Sequence, residues 1–356
     1  MQTKSTRVMI AMSGGVDSAV AALLLTNQGY DVAGMTMKLH GENESERQGG
    51  CCTAKDIEDA THVAARLGIP YEVCHFEADF AGCVIDRFVF AYEHGATPNP
   101  CVDCNRHLKF DKLYALAAQR GYAYLATGHY ARIEEKDGRF YLLKAVDQTK
   151  DQSYMLYALT QEQLSRTIFP LGGLPKTEVR ALADGAGFVN SQKPDSQDIC
   201  FVPDGDYASF IEKYTKKNYP SGDFVDTEGK VLGKHQGIIR YTIGQRKGLG
   251  VAFGTPLYVC QICPEENRVV LGGNDDLFST TFEAGELNWI AFDTPPATFR
   301  AKAKIRYRQC EQPATIAILP SGRAKVTFDE PQRAITRGQS VVFYQDDYVL
   351  GGGIIL

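Results

Sequence analysis

Across residues 1–205, short unbroken apolar runs alternate with longer segments in which apolar positions recur every three to four residues. The short runs, Val8–Met12, Val32–Met37, Tyr71–Phe76 and Tyr124–Thr127, predict buried strands. The longer segments, Val16–Gln28, Ala54–Leu67, Phe80–Tyr92 and Leu108–Arg120, predict helices, with Gly29, Gly68, Gly95 and Gly121 as their stops. This alternation predicts an α/β fold built on a Rossmann-like parallel sheet, whose ligands bind beyond the carboxyl ends of the strands. Gly138 marks a hairpin between Tyr130–Glu135 and Arg139–Lys144, and Gln161–Arg166 and Lys176–Ala186 read as further helices. After a helix over Tyr207–Tyr214 the rhythm changes. Short strand runs separated by glycines predict a small β-rich central domain and a C-terminal β-barrel. The expected domains are 1–205, 206–276 and 277–356.

Composition narrows the class. The 356 residues suffice for two or three domains. No apolar run approaches the ~20 residues of a membrane span, and Met1–Arg7 lacks the apolar core of a signal peptide. The expectation is a cytoplasmic protein with no membrane partner. Ten cysteines in such a chain point to buried thiols, metal or redox chemistry rather than a disulfide scaffold. A net charge of −5 argues against chain-wide attraction to nucleic acid and leaves room for a local basic patch.

Candidate chemistry begins where the first strand ends. Ser13-Gly14-Gly15-Val16-Asp17-Ser18 lies between a strand pattern and a helix pattern. Its glycines allow a tight turn with inward N–H groups, and the helix start adds further donors. Ser13 and Ser18 offer hydroxyls, and Asp17 can hold Mg2+ against phosphates. The Walker A pattern is absent. The run resembles the S-G-G-x-D-S loop of the PP-loop ATP pyrophosphatases, which split ATP into AMP and pyrophosphate.

A second signal is Asn99-Pro100-Cys101-Val102-Asp103-Cys104-Asn105-Arg106. Pro98 and Pro100 predict extended chain, and Asp103 or Asn105 could cap a following helix. Cys104 would then lie near a helix N-terminus beside Arg106, His107 and Lys109, a setting that favours thiolate. Cys101 and Cys104 also fit a redox pair or half of a metal site. Cys200 lies in a polar loop between Pro194 and Pro203. Cys51 and Cys52 follow two glycines and receive no role. Cys260 and Cys263 fall on opposite faces of a strand-like run, which disfavours a four-cysteine zinc site.

The run Arg300 to Arg308 alternates basic and other residues, so a strand there would place five cations on one face. Like charges on one ladder repel unless an anion such as an RNA backbone covers them. Arg240–Gly250 is a second cationic, glycine-rich run.

Taken with Thr127-Gly128-His129-Tyr130, Lys150-Asp151-Gln152-Ser153-Tyr154 and Tyr241–Gly250, these motifs make the chain similar over its whole length to the tRNA-specific 2-thiouridylases of the MnmA/TrmU family. The resemblance implies a PP-loop domain, a small central domain and a barrel. It implies ATP-dependent 2-thiolation of the wobble uridine of tRNAs for Lys, Glu and Gln, through adenylation of the C2 oxygen and transfer of persulfide sulfur. By the same resemblance ATP contacts Ala11, Met12, Ser13, Gly14, Gly15, Val16, Asp17, Ser18, Met37 and Gly128. Cys104 is the nucleophile and Cys200 the persulfide carrier. Asn99, Pro100 and Cys101 approach the target base, while Lys150, Asp151, Gln152, Arg306 and Tyr307 contact tRNA. His129 and Gln339 match positions linked to activity or tRNA discrimination. The implied sulfur donor is a cysteine desulfurase or a sulfur relay protein. Many members carry Asp where this chain has Cys101, which puts an acid–base role there in doubt. With Cys104 and Cys200, Cys101 could instead give three thiolates to a [4Fe–4S] cluster. Two other classes share some of these features. An amidotransferase-type synthetase would use the loop but has no need of Cys104 and Cys200. A non-catalytic RNA-binding protein has no use for Ser13–Ser18.

Overall fold

The computed structural model describes residues 5–40, 53–195, 199–202, 204–250 and 254–356. Cys51 and Cys52 lie outside them. The chain divides into two compact units, one of residues 1–84, 101–205 and 347–349, the other of residues 85–100, 206–346 and 350–356.

In the first unit five parallel strands form a sheet. They are β1 (Arg7–Ala11), β2 (Asp31–Lys38), β3 (Tyr71–His75), β4 (Tyr124–Thr127) and β7 (Thr167–Ile168), in the order β3-β2-β1-β4-β7. From β1 the chain winds outward through β2 and β3, then crosses back to lay β4 on the other side of β1. The gap beyond the ends of β1 and β4 is therefore the topological switch point, where such sheets bind ligands. Helix α1 (Val16–Asn27) follows β1 and α2 (Ala54–Leu67) precedes β3. Val8, Ile10, Val20 and Leu25 are fully buried between sheet and helices, each worth about 1.5–3 kcal/mol. The glycine stops act as the sequence predicts. Gly29, Gly68, Gly95 and Gly121 all adopt left-handed φ of 67–84°. The hairpin β5 (Ala131–Lys136) and β6 (Arg139–Lys144) turns on Asp137 and Gly138, both at positive φ, as a two-residue primed turn requires.

Two helices differ from expectation. The predicted Phe80–Tyr92 run begins earlier, at Glu77, and Ala81–Ile85 is π-helical. The predicted Leu108–Arg120 helix begins at Pro100 and is π-helical over Cys104–Leu113. Pro100 serves as a first helical residue, where its missing N–H costs nothing, rather than as a mark of extended chain.

The second unit holds two β assemblies. Strands β8 (Gly222–Val225), β9 (Val231–His235), β10 (Tyr258–Cys263) and β11 (Arg268–Gly272) form a four-stranded sheet. Its core contains Phe224, Tyr241, Leu249, Val259, Val269 and Leu271. Strands β12 (Phe278–Trp289), β13 (Thr298–Lys304), β14 (Gln312–Ile318), β15 (Ala324–Arg333), β16 (Ser340–Gln345) and β17 (Tyr348–Ile355) form an antiparallel barrel, closed by pairing of β17 with β12. Among the described residues no helix is long and apolar enough to cross a membrane.

Candidate functional site

The loop Ser13–Ser18 sits at the switch point. Gly14 has φ +72°, and a Cβ there would lie 2.3 Å from the Asp56 carbonyl oxygen. Conformation and crowding both demand glycine. The Ser18 hydroxyl accepts from Ser13 N at 3.2 Å and donates to the Gly15 carbonyl at 3.0 Å, closing the loop on itself. From outside, Asn190 Nδ2 donates to the Gly14 carbonyl at 2.9 Å and Lys193 Nζ at 3.2 Å. Lys193 also pairs with Asp56 and Asp59, each at 2.6 Å. Burial opposes its charge, but the two carboxylates prevail and raise its pKa. Asp56 in turn closes the capping box that starts α2 with Thr53. The loop is thus held by α2 and by the segment 190–193.

Gly128, just past β4, completes the crevice. A Cβ on it would lie 2.8 Å from Ser18 N and 2.9 Å from Asp17 C. Because both are backbone atoms, Gly128→Ala must displace either the start of α1 or the end of β4. We expect a loss of about 1–3 kcal/mol and weakened ATP binding. Urea denaturation and nucleotide titration check this, and an unchanged midpoint contradicts it.

Asp17 lies in the first turn of α1. Its two oxygens accept from Lys176 Nζ at 2.7 and 2.8 Å, and Oδ1 also accepts from the Tyr130 hydroxyl at 2.7 Å. Lys176, whose side chain is only 9% exposed, starts α3 (Lys176–Gly185) and reaches Asp195 Oδ1 at 2.8 Å as well. Asp195 further pairs with Lys150 at 2.8 Å and Arg180 at 3.2 Å. Partial burial pushes the Asp195 pKa up, but hydrogen bonds from Lys150 and Lys176 outweigh it and bring it to about 2. Lys176, Asp195, Lys193 and Asn190 are site residues that the sequence reading missed. No motif marks them, since Lys176 meets Asp17 across 159 residues of chain.

Both Asp17 oxygens are engaged by Lys176 and Oδ1 also by Tyr130, so a magnesium ion would share this carboxylate with the lysine and depend on substrate phosphates for its other ligands. Asp17 is one carboxylate, and Mg2+ is commonly held by one or two carboxylates together with substrate phosphates. Among the described residues no three His, Cys, Asp or Glu side chains gather as a metal site. Cys101, Cys104 and Cys200 are thus not gathered as the three [4Fe–4S] cluster ligands the sequence suggests.

The other assigned residues are placed as follows. Met37 is buried in β2, beside Cys74 of β3. His129 is buried between Phe110 and Phe169 and shares Nδ1 with Thr127 Oγ1 at 2.7 Å. Burial, then the nearby Lys109, lower its pKa well below the ordinary value, so it is neutral at pH 7. Asp151 turns its carboxylate into its own loop, accepting from Ala145 N, Ser153 N and Ser153 Oγ. Gln152 accepts from Tyr130 N at 2.9 Å.

Cys104 lies one turn inside its helix rather than at the cap, because the helix starts at Pro100. Asp103 is helical and caps nothing. Asn105 is buried and anchors the helix to the Met155 carbonyl at 3.0 Å. Cys101 is exposed, and Cys104 and Cys200 are half-buried. Cys200 is followed by the buried Phe201, which packs edge-on to Phe80 at 5.8 Å between ring centroids.

In the second unit Gln339 Nε2 donates to the carbonyls of Thr97 and Pro98 at 2.8 and 3.3 Å, directly before Asn99 and Pro100. The basic strip differs from expectation. β13 ends at Lys304, and Arg306 and Tyr307 lie in the turn beyond it. Arg300 is neutralised by Asp329 of β15 through two short contacts. Arg306 donates to the Ala334 carbonyl at 2.7 Å and to Thr336 Oγ1 at 3.0 Å. The strip is not a ladder of five uncompensated charges.

Three family models match the chain. They are a tRNA methyl transferase HUP domain over residues 6–204, a tRNA methyl transferase PRC-barrel domain over 208–273 and an aminomethyltransferase beta-barrel domain over 279–355. Among curated relatives, a tRNA-specific 2-thiouridylase MnmA of Clostridioides difficile is 53% identical, covering 98% of each chain. Proteins of the same name from Clostridium perfringens and Acetivibrio thermocellus are each 50% identical, over 98% of this chain and 98–99% of theirs.

Proposed function

Because the chain belongs to the tRNA-specific 2-thiouridylase MnmA family, we propose that it thiolates C2 of the wobble uridine in tRNAs for Lys, Glu and Gln, using ATP and a protein-borne persulfide. The enzyme is a tRNA sulfurtransferase. The observation that carries the reading is the S-G-G-x-D-S loop at the switch point, with a buried lysine facing its aspartate. Methyl transfer, named in two of the matched model descriptions, needs neither that loop nor the thiols of Cys104 and Cys200.

The chemistry gives each part a task. The uridine C2 oxygen is a poor leaving group. Attack of that oxygen on the α-phosphorus expels pyrophosphate, and AMP then becomes the group that leaves C2. The backbone N–H groups of Ser13–Ser18 and the start of α1 receive the nucleotide's phosphates. Lys176 supplies positive charge where pyrophosphate charge develops. Magnesium, when bound, neutralises phosphate charge, and Asp17 would hold it with the phosphate oxygens.

Sulfur transfer uses Cys200 as persulfide carrier and Cys104 as its partner thiol. In one route the Cys104 thiolate attacks the inner sulfur, and hydrosulfide leaves to attack C2. In the other the outer sulfur attacks C2, and Cys104 then attacks the Cys200 sulfur and frees the thiocarbonyl. Both routes close a Cys104–Cys200 disulfide, so each turnover consumes two electrons from an external thiol. Asn99–Cys101 approach the target base, which must leave its stack to react. Lys150–Gln152 and Arg306–Tyr307 contact tRNA, and His129 acts as a neutral hydrogen-bonding group. We assign residues 1–205 to catalysis, 206–276 to the central domain and 277–356 to tRNA contact, with the protein acting in the cytoplasm alongside a desulfurase or sulfur relay protein.

Incubation with tRNA, ATP, Mg2+, a thiol reductant and a cysteine desulfurase with its substrate is expected to yield 2-thiouridine in the nucleoside digest, in step with AMP. ATP consumption without 2-thiouridine under these conditions contradicts the proposal.

A further inference from the structure

The glycine-rich run at residues 242–248 takes no part in the chemistry of nucleotide or sulfur. It is held firmly at both ends. Tyr241 and Leu249 are buried in the core of the small sheet, and Ile243 packs against that core. Within the run, Gln245 Oε1 accepts from Thr242 N, and Gln245 Nε2 donates to the Lys247 carbonyl, both at 3.0 Å. Gly244 N donates to the Val259 carbonyl at 2.8 Å, and Val259 N donates to the Gln245 carbonyl at 3.0 Å. Gly244 and Gly248 take φ of +85° and +76°, which turn the chain sharply on either side of Arg246 and Lys247. Those two cations are exposed and enter no ion pair among the described residues. They line an open groove of about 600 Å3 with Tyr207, Thr242 and Gln245.

The groove adjoins the segment that precedes Asn99. The Thr97 hydroxyl donates to Thr242 Oγ1 at 3.4 Å. Thr97 N donates to the Arg337 carbonyl at 2.8 Å, and Gln339 holds the Thr97 and Pro98 carbonyls. The segment 97–98 is therefore pinned between the rigid cationic turn and the turn at 337–339. All of these residues belong to the second unit.

We propose that the Thr242–Lys247 turn is a phosphate-binding cradle for the tRNA substrate, in which Arg246 and Lys247 grip the ribose-phosphate backbone of nucleotides flanking the target uridine. The proposal rests on the functional reading above and adds a contact to it. A backbone grip beside the base-approaching loop fixes where the strand runs, and so which base can reach Asn99–Cys101. It reads phosphate and not sequence, as such contacts do. The chain's net charge of −5 makes local cationic sites of this kind necessary for binding a polyanion.

The test measures tRNA affinity of the full-length chain against salt for the wild type, for the double variant Arg246→Gln/Lys247→Gln, and for the charge-keeping double variant Arg246→Lys/Lys247→Arg. Loss of two single-strand phosphate contacts reduces the log–log salt slope by about 1.4. Between 50 and 200 mM salt, the affinity gap between wild type and the Gln variant then narrows about 7-fold. The charge-keeping variant is expected to retain most of the wild-type slope. The Gln variant is expected to bind ATP as the wild type does, which separates a lost contact from a misfolded chain. A Gln variant with the wild-type slope overturns the cradle and leaves the thiolation reading standing. A wild-type chain that binds no tRNA overturns the thiolation reading and the cradle with it.

Discussion

Replacement of either Cys104 or Cys200 by serine is expected to abolish 2-thiouridine formation while leaving ATP and tRNA binding near wild-type strength. Serine keeps the size of the side chain and its place in the loop or helix. It offers neither a thiolate nor a persulfide at neutral pH. The two variants should differ in one respect. After treatment with a desulfurase and its substrate, Cys104→Ser is expected to carry protein-bound persulfide, and Cys200→Ser is expected to lack it. Intact-protein mass spectrometry reads the added sulfur directly. A Cys200→Ser chain that still carries persulfide and still thiolates tRNA contradicts the carrier assignment. Without reductant the wild type is expected to stop after one equivalent of product, because either route leaves the Cys104–Cys200 disulfide.

The second large effect is expected at the paired charges of the nucleotide loop. Lys176 contacts both oxygens of Asp17 and one of Asp195, and it is almost fully buried. In the proposed reaction ATP would bring its own negative charge to this place, where the lysine already stands. Lys176→Gln is expected to lower the rate of AMP formation about 10²–10³-fold, the size of effect seen when one preorganised electrostatic donor is removed. Asp17→Asn is expected to lower it by at least as much, by weakening the hold on metal and phosphates. Lys176→Arg keeps the charge and should recover part of the loss. Lys176 is buried but Asp17 and Asp195 keep 31% and 28% of their side chains exposed, so solvent screening holds the stability cost below the about 3–5 kcal/mol of a fully buried pair, and thermal unfolding accompanies the kinetics. A folded Lys176→Gln chain with wild-type AMP formation contradicts the electrostatic role.

These charges also show where sequence reading stops. The strand–helix rhythm, the glycine stops and the loop at the end of β1 were legible because each is local. Hydrophobic period, left-handed glycine and strand–turn–helix context lie within a few residues of one another. The Asp17–Lys176–Asp195 and Lys193–Asp56–Asp59 clusters were not legible, because folding joins distant segments and neither lysine sits in a recognisable pattern. The start of the Cys104 helix was misread for a different reason. Proline both favours extended chain before it and suits a helix's first residue, and at Pro100 the second property governs. The basic strip was misread because alternation alone does not reveal Asp329 on a neighbouring strand or the end of β13 at Lys304.

In the proposed reaction the nucleotide loop activates the C2 oxygen of uridine so that sulfur can replace it. The most direct measurement follows that oxygen. A tRNA carrying 18O at C2 of the target uridine is thiolated with unlabelled ATP, and the nucleotide products are weighed by mass spectrometry. The label is expected to leave in AMP, one atom per 2-thiouridine formed, with pyrophosphate unlabelled. Label recovered in water or in inorganic phosphate, or ADP as the nucleotide product, would contradict it.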